Sequence, residues 1–242
     1  MTTEAGDCFL KRAEMGMRYL QSLDDMVRRA GGSRTPVSRR CTRSQLVALI
    51  EVAENRSYSR AAQVLGIAQS SVNRAIRGLE GLCELTLFER SPSGAEPTWL
   101  CRQAARAASL FFAEIDHGAD DLAELDGAFT GKLRIGALPL ARASMVPTAL
   151  ASVLRIYPDA EVSITDGPYE EQLRRLLNGQ IDVIVGALRD PCPSSMIVQE
   201  LLFSDPLHIV LRTDHPLAKH TLSDAKELRE LRWIAPRKAT PA

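Results

Sequence analysis

The chain has 242 residues, 45% hydrophobic and 25% charged, and its 30 basic residues balance its 30 acidic ones. This is the composition of an ordinary globular protein with one large or two modest domains. No run approaches the roughly 18 apolar residues of a membrane span, and the N-terminus lacks a signal-peptide core. We therefore expect a cytoplasmic chain with no membrane partner.

The neutral total conceals two charged segments. Between Arg28 and Gly78 there are ten arginines against two acids, a local balance of +8, whereas Ala113 to Gly127 holds six acids and no lysine or arginine. A basic segment beside an acidic one is expected where one part of a protein meets phosphate. The alternative is two solvated faces that cancel.

The cysteines and histidines do not form a metal or disulfide pattern. Five cysteines lie far apart without a C-x-x-C pair, and four histidines complete no zinc spacing. We expect reduced, mostly structural thiols, no metal ion and no cofactor. We interpret His215 and His220 as surface residues. No nucleophile elbow, P-loop or dinucleotide motif is present, so we predict no catalytic residue and no enzyme.

Three helices are predicted between residues 43 and 83. A helical apolar stripe covers 43–55, and Ser57 or Ser59 then caps a second helix that Gly66 ends. A third helix begins at Gln69 with the apolar stripe Val72, Ile76, Leu79 and Cys83. Residues 91–94 mark a tight turn between two short extended arms. This order is typical of a helix-turn-helix followed by a wing.

The third helix carries a polar face opposite its stripe: Gln69, Ser70, Ser71, Asn73, Arg74 and Arg77. Short side chains let a helix approach base edges, where Gln and Asn pair with adenine and Arg with guanine or phosphate. We predict that this face binds double-stranded DNA, with Ser57 beside it and Arg90 on backbone phosphate. The same shape also occurs in purely structural helix bundles.

The stretch from Leu46 to Arg90 resembles the N-terminal domain of LysR-type transcription regulators. The matching positions are Ala61-Ala62, Leu65, Gln69, Ile76-x-x-Leu79-Glu80 and Leu87-Phe88-Glu89-Arg90. The resemblance implies that residues 69–74 open the recognition helix and that a linker helix near 100–125 forms a dimer contact. The alternative is an amphipathic helix packed within its own domain.

The sequence departs from the family at several of these positions. Glu84 stands where the family usually has glycine, and we expect it to distort the approach to the wing because it resists a positive φ. Asn73 replaces a usual serine, which could alter sequence preference, and residues 99–101 replace the usual polar-Ala-Gly entry to the linker.

The C-terminal half alternates strands and helices. Strands are predicted at 132–138, 160–167 and 181–188, with helices at 145–158 and 169–180, and two more extended runs within 196–218. This spacing predicts a parallel sheet buried on both faces. The half resembles the first lobe of the LysR effector domain, itself similar to periplasmic solute-binding proteins. Within the family it is most similar to the subgroup typified by the galactose-binding-protein regulator.

Ligands of such sheets bind beyond the carboxyl ends of the strands. We therefore predict a small-molecule effector site at the strand exits, formed by Leu138, Arg142, Ser144, Tyr169, Ala187 and Leu188. Backbone amides after Arg142 could accept an anionic or hydroxylated effector. Alternatively, Arg142 and Arg189 are only surface charges and Tyr169 merely starts a helix.

The predicted fold is α/β multidomain, with four segments. Residues 1–40 form a helical extension and a flexible basic connector, 41–99 the winged helix-turn-helix, 100–127 the linker helix, and 128–242 one lobe of the effector domain.

The first helix is predicted to be amphipathic, with one side formed by Phe9, Leu10, Met17, Leu20 and Met26. It resembles the linker helix and is either a remnant of an upstream winged-helix unit or a plain helix. Because the second lobe does not follow, we expect a fragment, a truncated product or a lost inducer response.

Together these features predict a sequence-specific DNA-binding regulator that forms a homodimer or tetramer and responds to a small metabolite, with RNA polymerase as a candidate partner. Two alternatives are an α/β small-molecule-binding or enzymatic domain with a helical appendage, and a truncated regulator that sequesters full-length partners through the linker helix.

Overall fold

The computed structural model describes residues 3–92, 94–125, 131–204, 206, 208–219, 229 and 231–234, and the chain divides into two units, Met1–Gly186 and Ala187–Ala242. The first unit contains eight α-helices and five strands within the described residues. In chain order these are α1 Glu4–Arg29, α2 Arg43–Asn55, α3 Tyr58–Leu65, α4 Gln69–Cys83, β1 Phe88–Ser91, β2 Gly94–Pro97, α5 Trp99–Leu125, β3 Lys132–Ala137, α6 Pro139–Ala143, α7 Met145–Ile156, β4 Glu161–Thr165, α8 Tyr169–Leu177 and β5 Val183–Val185. No described helix is both long and apolar enough to cross a membrane.

Helices α2, α3 and α4 form the predicted three-helix scaffold. Thr42 caps α2 in a capping box with Gln45, and Ser57 caps α3 by accepting a hydrogen bond from the Arg60 amide. Gly66 ends α3 at φ 65°. The apolar stripes meet in one core whose fully buried members include Leu49, Val52, Val72, Ile76 and Leu79. The capping residues and the helical periodicity indicate the same helix ends here, and the three predicted helices are confirmed.

Two cysteines lie inside this core. Cys83 and Cys101 are buried with free thiols, and burial raises the pKa of Cys83 to about 11 and that of Cys101 to about 12. Thiols with such pKa values stay protonated near neutral pH and are poor nucleophiles. Both therefore fit the predicted structural role.

Helix α1 belongs to the same core, although the predicted stripe was partly wrong. Leu10 is exposed, and the buried positions are Gly16, Leu20, Leu23 and Val27. Leu23 and Val27 enter the scaffold core, and Leu20 packs in a small cluster with Leu46 of α2 and Ala108 of α5. The first helix thus shares a hydrophobic core with the three-helix scaffold.

The predicted flexibility of the connector after α1 is contradicted. Val37 is fully buried in the scaffold core, and the Ser33 amide donates to the Cys83 carbonyl at 2.9 Å. Asp24 accepts hydrogen bonds from the Ser38 amide and hydroxyl at 2.9 and 2.5 Å. A buried valine and paired backbone groups fix a segment that composition alone marks as loose.

Glu84 adopts the positive φ that the family pattern assigns to glycine. Its φ is 57°, its amide donates to the Glu80 carbonyl, and the wing strands still pair from Phe88↔Pro97 to Ser91↔Gly94. The expected distortion of the wing is therefore wrong. The left-handed conformation costs a residue with a Cβ about 1 kcal/mol instead.

We expect Glu84→Gly to raise the free energy of unfolding by up to about 1 kcal/mol, because glycine adopts this conformation without a Cβ clash. Urea unfolding at fixed salt measures the difference. Glu84→Ala removes the same carboxylate but keeps the Cβ, so it should give no gain. A stabilised alanine variant would assign the effect to charge.

The lobe after α5 is a three-stranded parallel sheet in the order β4-β3-β5. Ile135 and Ala137 of β3 pack under α6 and α7, and Gly136 faces Gln172 of α8. The prediction that both faces of the sheet are buried holds only for the central strand, β3. The outer strands β4 and β5 contain no buried residue. They lie at the two edges of this sheet.

This lobe also contacts α5 within the first unit. Arg106 Nε donates to the Leu177 carbonyl at 3.1 Å. Asp182, just before β5, accepts from the Arg134 amide at 2.8 Å and from Arg134 Nη2 at 2.9 Å, and lies 3.3 Å from His117 Nε2 of α5. One carboxylate thereby joins β3 to the linker helix.

The two further extended runs predicted within 196–218 do not form strands in the described part of the second unit. That part contains only a 3-10 helix at Pro216–Lys219. Val198 and Val210 are 94% and 89% exposed. A strand needs a hydrogen-bonded neighbour and a buried face, and these runs have neither burial nor a paired strand here. His215 is half-buried, and His220 lies outside the described residues.

Candidate nucleic-acid interface

Helix α4 separates a buried face from a polar one. Val72, Ile76, Leu79 and Cys83 point into the core. The predicted contact residues Gln69, Ser70, Ser71, Arg74 and Arg77 are exposed, and Asn73 is half-buried. The structure therefore brings the predicted polar residues onto one accessible edge of α4, with small side chains on its first turn.

The two arginines of this edge are available for a ligand. Within the described part of the chain, neither Arg74 nor Arg77 forms an ion pair, and the acidic segment of α5 pairs with Arg12 of α1 instead. Guanidinium groups held in this way suit phosphate oxygens or the O6 and N7 acceptors of guanine.

Two further predicted DNA-contact residues, Ser57 and Arg90, lie outside α4. The Ser57 hydroxyl accepts from the Arg60 amide at 3.3 Å and lies 3.2 Å from the Ser59 hydroxyl, so its first role is to cap α3. Arg90 lies in β1 opposite Ala95, and its side chain is outside the described part of the structure.

Arg56 anchors the wing, and the sequence interpretation missed it. It ends α2 at φ 50°, its carbonyl accepts from the Ala95 amide at 2.9 Å, and its Nη1 lies 3.4 Å from Glu96 Oε2. A Cβ on Gly94 would lie 2.4 Å from that carbonyl oxygen, so only glycine fits. Gly94 was recognisable in the sequence as a turn residue. Its contact with the Arg56 carbonyl is seen only in the folded structure, where β2 packs against α2.

Two of the predicted effector residues, Leu138 and Arg142, follow the carboxyl end of β3 but have different roles. Leu138 is buried, and its amide donates to the Val185 carbonyl at 3.0 Å, so it holds the sheet. Arg142 is exposed and pairs with Asp166, an acid beyond β4 that the sequence interpretation missed. An aspartate directly after a strand was the available signal.

The remaining effector residues are more scattered. Ser144 is exposed at the start of α7, with no side-chain capping bond, and Tyr169 is the half-buried first residue of α8. Ala187 and Leu188 are exposed and belong to the second unit. The first unit alone therefore brings Leu138, Arg142 and Asp166 to one end of the sheet.

Two family models match the chain. The model of bacterial regulatory helix-turn-helix proteins of the lysR family matches residues 44–102, and that of the LysR substrate binding domain matches residues 126–241. Regulators of this family bind DNA and small-molecule effectors and form oligomers.

Curated relatives cover most of the chain. It is 29% identical over 240 residues to the HTH-type transcriptional regulator GalR of Pseudomonas putida, covering 99% of this chain and 59% of that protein. It is 28% identical to PcaQ of Agrobacterium fabrum, covering 83% and 64%, and 26% identical to GbpR of Azospirillum brasilense, covering 75% and 53%. The chain thus spans about six-tenths of the length of the curated relatives it matches. The predicted subgroup remains a prediction.

Solved structures give weaker matches. A full-length OxyR variant from Pseudomonas aeruginosa is 20% identical with a TM-score of 0.45, covering 62% of this chain and 50% of that one. Full-length CbnR in complex with its target DNA is 26% identical with a TM-score of 0.40, covering 57% and 46%. Since both TM-scores are below 0.5, the assignment follows from the two family models and the curated relatives, and the chain belongs to the LysR family.

Proposed function

We propose that this chain is a sequence-specific DNA-binding transcription regulator that inserts α4 into the major groove. The observation that supports this most directly is the exposed edge from Gln69 to Arg77, whose two arginines form no ion pair with any residue that the structure describes. Gln69 and Asn73 suit adenine, Arg74 suits guanine, and Arg77 suits a phosphate one turn along. Ser70 and Ser71 allow close approach, while Ser57 and Arg90 meet the backbone beside the groove.

The C-terminal lobe supplies a small-molecule response in this proposal. The Arg142–Asp166 pair at the strand ends offers both a cation and an anion, which suits a hydroxylated or anionic metabolite. Within the first unit, Leu138, Ser144 and Tyr169 complete the proposed effector site.

The remaining assignments follow the family. We propose the domain boundaries 1–40, 41–99, 100–127 and 128–242, a cytoplasmic location and no enzymatic activity. Assembly into a homodimer or tetramer and contact with RNA polymerase are part of the same proposal. The alternative is an interaction role, in which a truncated regulator sequesters full-length partners through α5.

Arg74→Ala is expected to weaken binding to the selected operator by about 1–3 kcal/mol, tenfold or more in Kd, and to relax preference at one base pair. Arg77→Ala should instead weaken binding to all duplexes and reduce the salt slope by about one. Genomic selection supplies the operator, and mobility shifts over a salt series measure both effects.

The matched control is Arg174→Ala, which removes an exposed arginine from α8 in the lobe. Its affinity and salt slope should equal those of the unaltered chain. The proposed interface is wrong if the α4 variants behave like this control, or if the unaltered chain binds duplex DNA with no salt dependence.

A further inference from the structure

The two long helices share a sequence pattern. In α1, Phe9 precedes Gly16 by seven residues, and in α5 Phe111 precedes Gly118 by the same interval. Leucines follow at matching positions, Leu20 and Leu23 in α1 and Leu122 and Leu125 in α5. Under this alignment position 12 of α1 is equivalent to position 114 of α5, and position 19 to position 121.

These equivalent positions contact each other reciprocally. A Cβ on Gly16 would lie 3.1 Å from Phe111 Cδ2, and one on Gly118 would lie 2.9 Å from Phe9 Cδ2. The helices are therefore antiparallel, and each phenylalanine packs on the glycine of the other helix. When identical helices pair about a two-fold axis, residue i contacts j while j contacts i. The α1–α5 pair shows this pattern within one chain.

A second set of contacts repeats the symmetry. The same Cβ on Gly16 would lie 3.5 Å from Glu114 Cβ, and that on Gly118 would lie 3.3 Å from Arg12 Cβ. Since positions 12 and 114 are equivalent, these contacts are also related by the local two-fold axis. A chance contact between one phenylalanine and one glycine would not produce two sets of contacts related by the same symmetry.

Charge distinguishes the two helices. Arg12 lies 3.3 Å from Glu114 and 2.8 Å from Asp121, and its side chain is partly shielded from solvent. In a pair of two α5 helices with this geometry, Glu114 would face Glu114 and Asp121 of the other copy. Those like charges repel one another, whereas the α1–α5 pair is complementary.

We propose that α1 is an in-chain substitute for the α5 helix of a second copy. It occupies the face of α5 marked by Phe111, Glu114, Gly118 and Asp121, and Arg12 makes that face selective for α1 over another α5. Assembly of the proposed regulator with a second copy then uses surfaces outside this face. This pairing of α1 with α5 does not depend on DNA binding.

An introduced cysteine tests which helix covers α5. Cys8 Sγ lies 3.8 Å from Asp121 Oδ2, so Asp121→Cys places a thiol beside a native one. The full chain, carrying Cys192→Ser to remove an exposed thiol, is co-refolded as an equal mixture of unlabelled and ¹⁵N-labelled molecules. It is then oxidised mildly with glutathione disulfide, digested and analysed by mass spectrometry.

We expect disulfide-linked peptides joining positions 8 and 121 that contain a single isotope. Asp116→Cys, at an exposed position of the same helix, should not cross-link to Cys8. Mixed-isotope peptides, a linkage between two copies of position 121, or the absence of any linkage to Cys8 would each overturn the proposal.

A charge reversal tests selectivity without new thiols. Arg12→Glu gives α1 the charge that α5 carries, and hydrogen exchange over residues 4–18 should become about tenfold faster. Arg12→Lys should stay close to the unaltered chain, and adding Glu114→Arg with Asp121→Arg to Arg12→Glu should restore protection. Unchanged exchange in Arg12→Glu, or no recovery in the triple variant, would show that charge does not select α1.

Discussion

Asp182→Asn is expected to lower the free energy of unfolding by about 2–3 kcal/mol, because one partly buried carboxylate holds three donors. Asp182 accepts from the Arg134 amide and guanidinium and lies 3.3 Å from His117 Nε2. Arg134 Nη2 is itself 3.3 Å from that histidine nitrogen. Without the carboxylate, the Arg134 guanidinium and the His117 ring remain in contact with no anion between them.

The same variant should change the pH dependence of stability. The hydrogen bond to Asp182 raises the pKa of His117 above 6.5, although burial opposes it. A raised histidine pKa contributes stability that is complete below 6.5 and is lost as pH rises through the folded-state pKa. Burial alone would raise the pKa of Asp182, but hydrogen bonds from His117 and Arg134 outweigh it and hold that pKa well below 3.8. Its contribution is present above 3.8 and is lost as pH falls through the lowered value.

Urea unfolding over a pH series that brackets 3.8 and 6.5 measures both effects. The difference between the unaltered chain and Asp182→Asn should be largest between those two values and shrink on either side. Asp159→Asn, which removes an exposed carboxylate from the turn after α7, should change stability by less than about 0.5 kcal/mol. A difference independent of pH would mean that the carboxylate acts only through packing.

Gln172→Leu is expected to raise the free energy of unfolding by about 1–3 kcal/mol, since leucine has a similar volume and no polar group to desolvate. Gln172 of α8 is fully buried, and neither amide atom finds a hydrogen-bond partner among the described residues. Its amide lies against two glycines: a Cβ on Gly136 would be 2.6 Å from Oε1, and one on Gly167 would be 3.2 Å from Nε2.

Thermal and urea unfolding of the variant check this prediction. Gln63→Leu makes the same change on the exposed surface of α3 and should stay within about 0.5 kcal/mol of the unaltered chain. If Gln172→Leu destabilises the lobe instead, the buried amide has a partner, such as an internal water molecule, that leucine displaces.

The winged helix was predictable because each of its signals is local. Periodicity placed α2 and α4 at their observed ends, and the turn at 91–94 separated the wing strands. Gly66 marked the end of α3, and of the two candidate caps, Ser57 and Ser59, the structure shows Ser57 at its start. A cap hydrogen bond spans three residues and an apolar stripe spans one helix, so neither requires knowledge of the rest of the fold. The polar edge of α4 followed from its stripe.

Long-range pairing could not be predicted in the same way. Arg142 was recognised as a candidate, but its partner Asp166 lies 24 residues away and meets it only across the sheet edge. The two runs around Val198 and Val210 have the composition of strands, yet composition does not provide a neighbouring strand.

By itself, the amino-acid sequence determined the family, the three-helix scaffold and the residues on the outer edge of α4, because these depend on order and spacing along the chain. Only the tertiary structure decided that the connector is anchored by Val37, that Asp182 joins the lobe to α5, and that α1 covers the linker helix. These features depend on which surfaces, distant in sequence, are buried against each other. Such burial is a property of the packed chain and cannot be derived from any one segment.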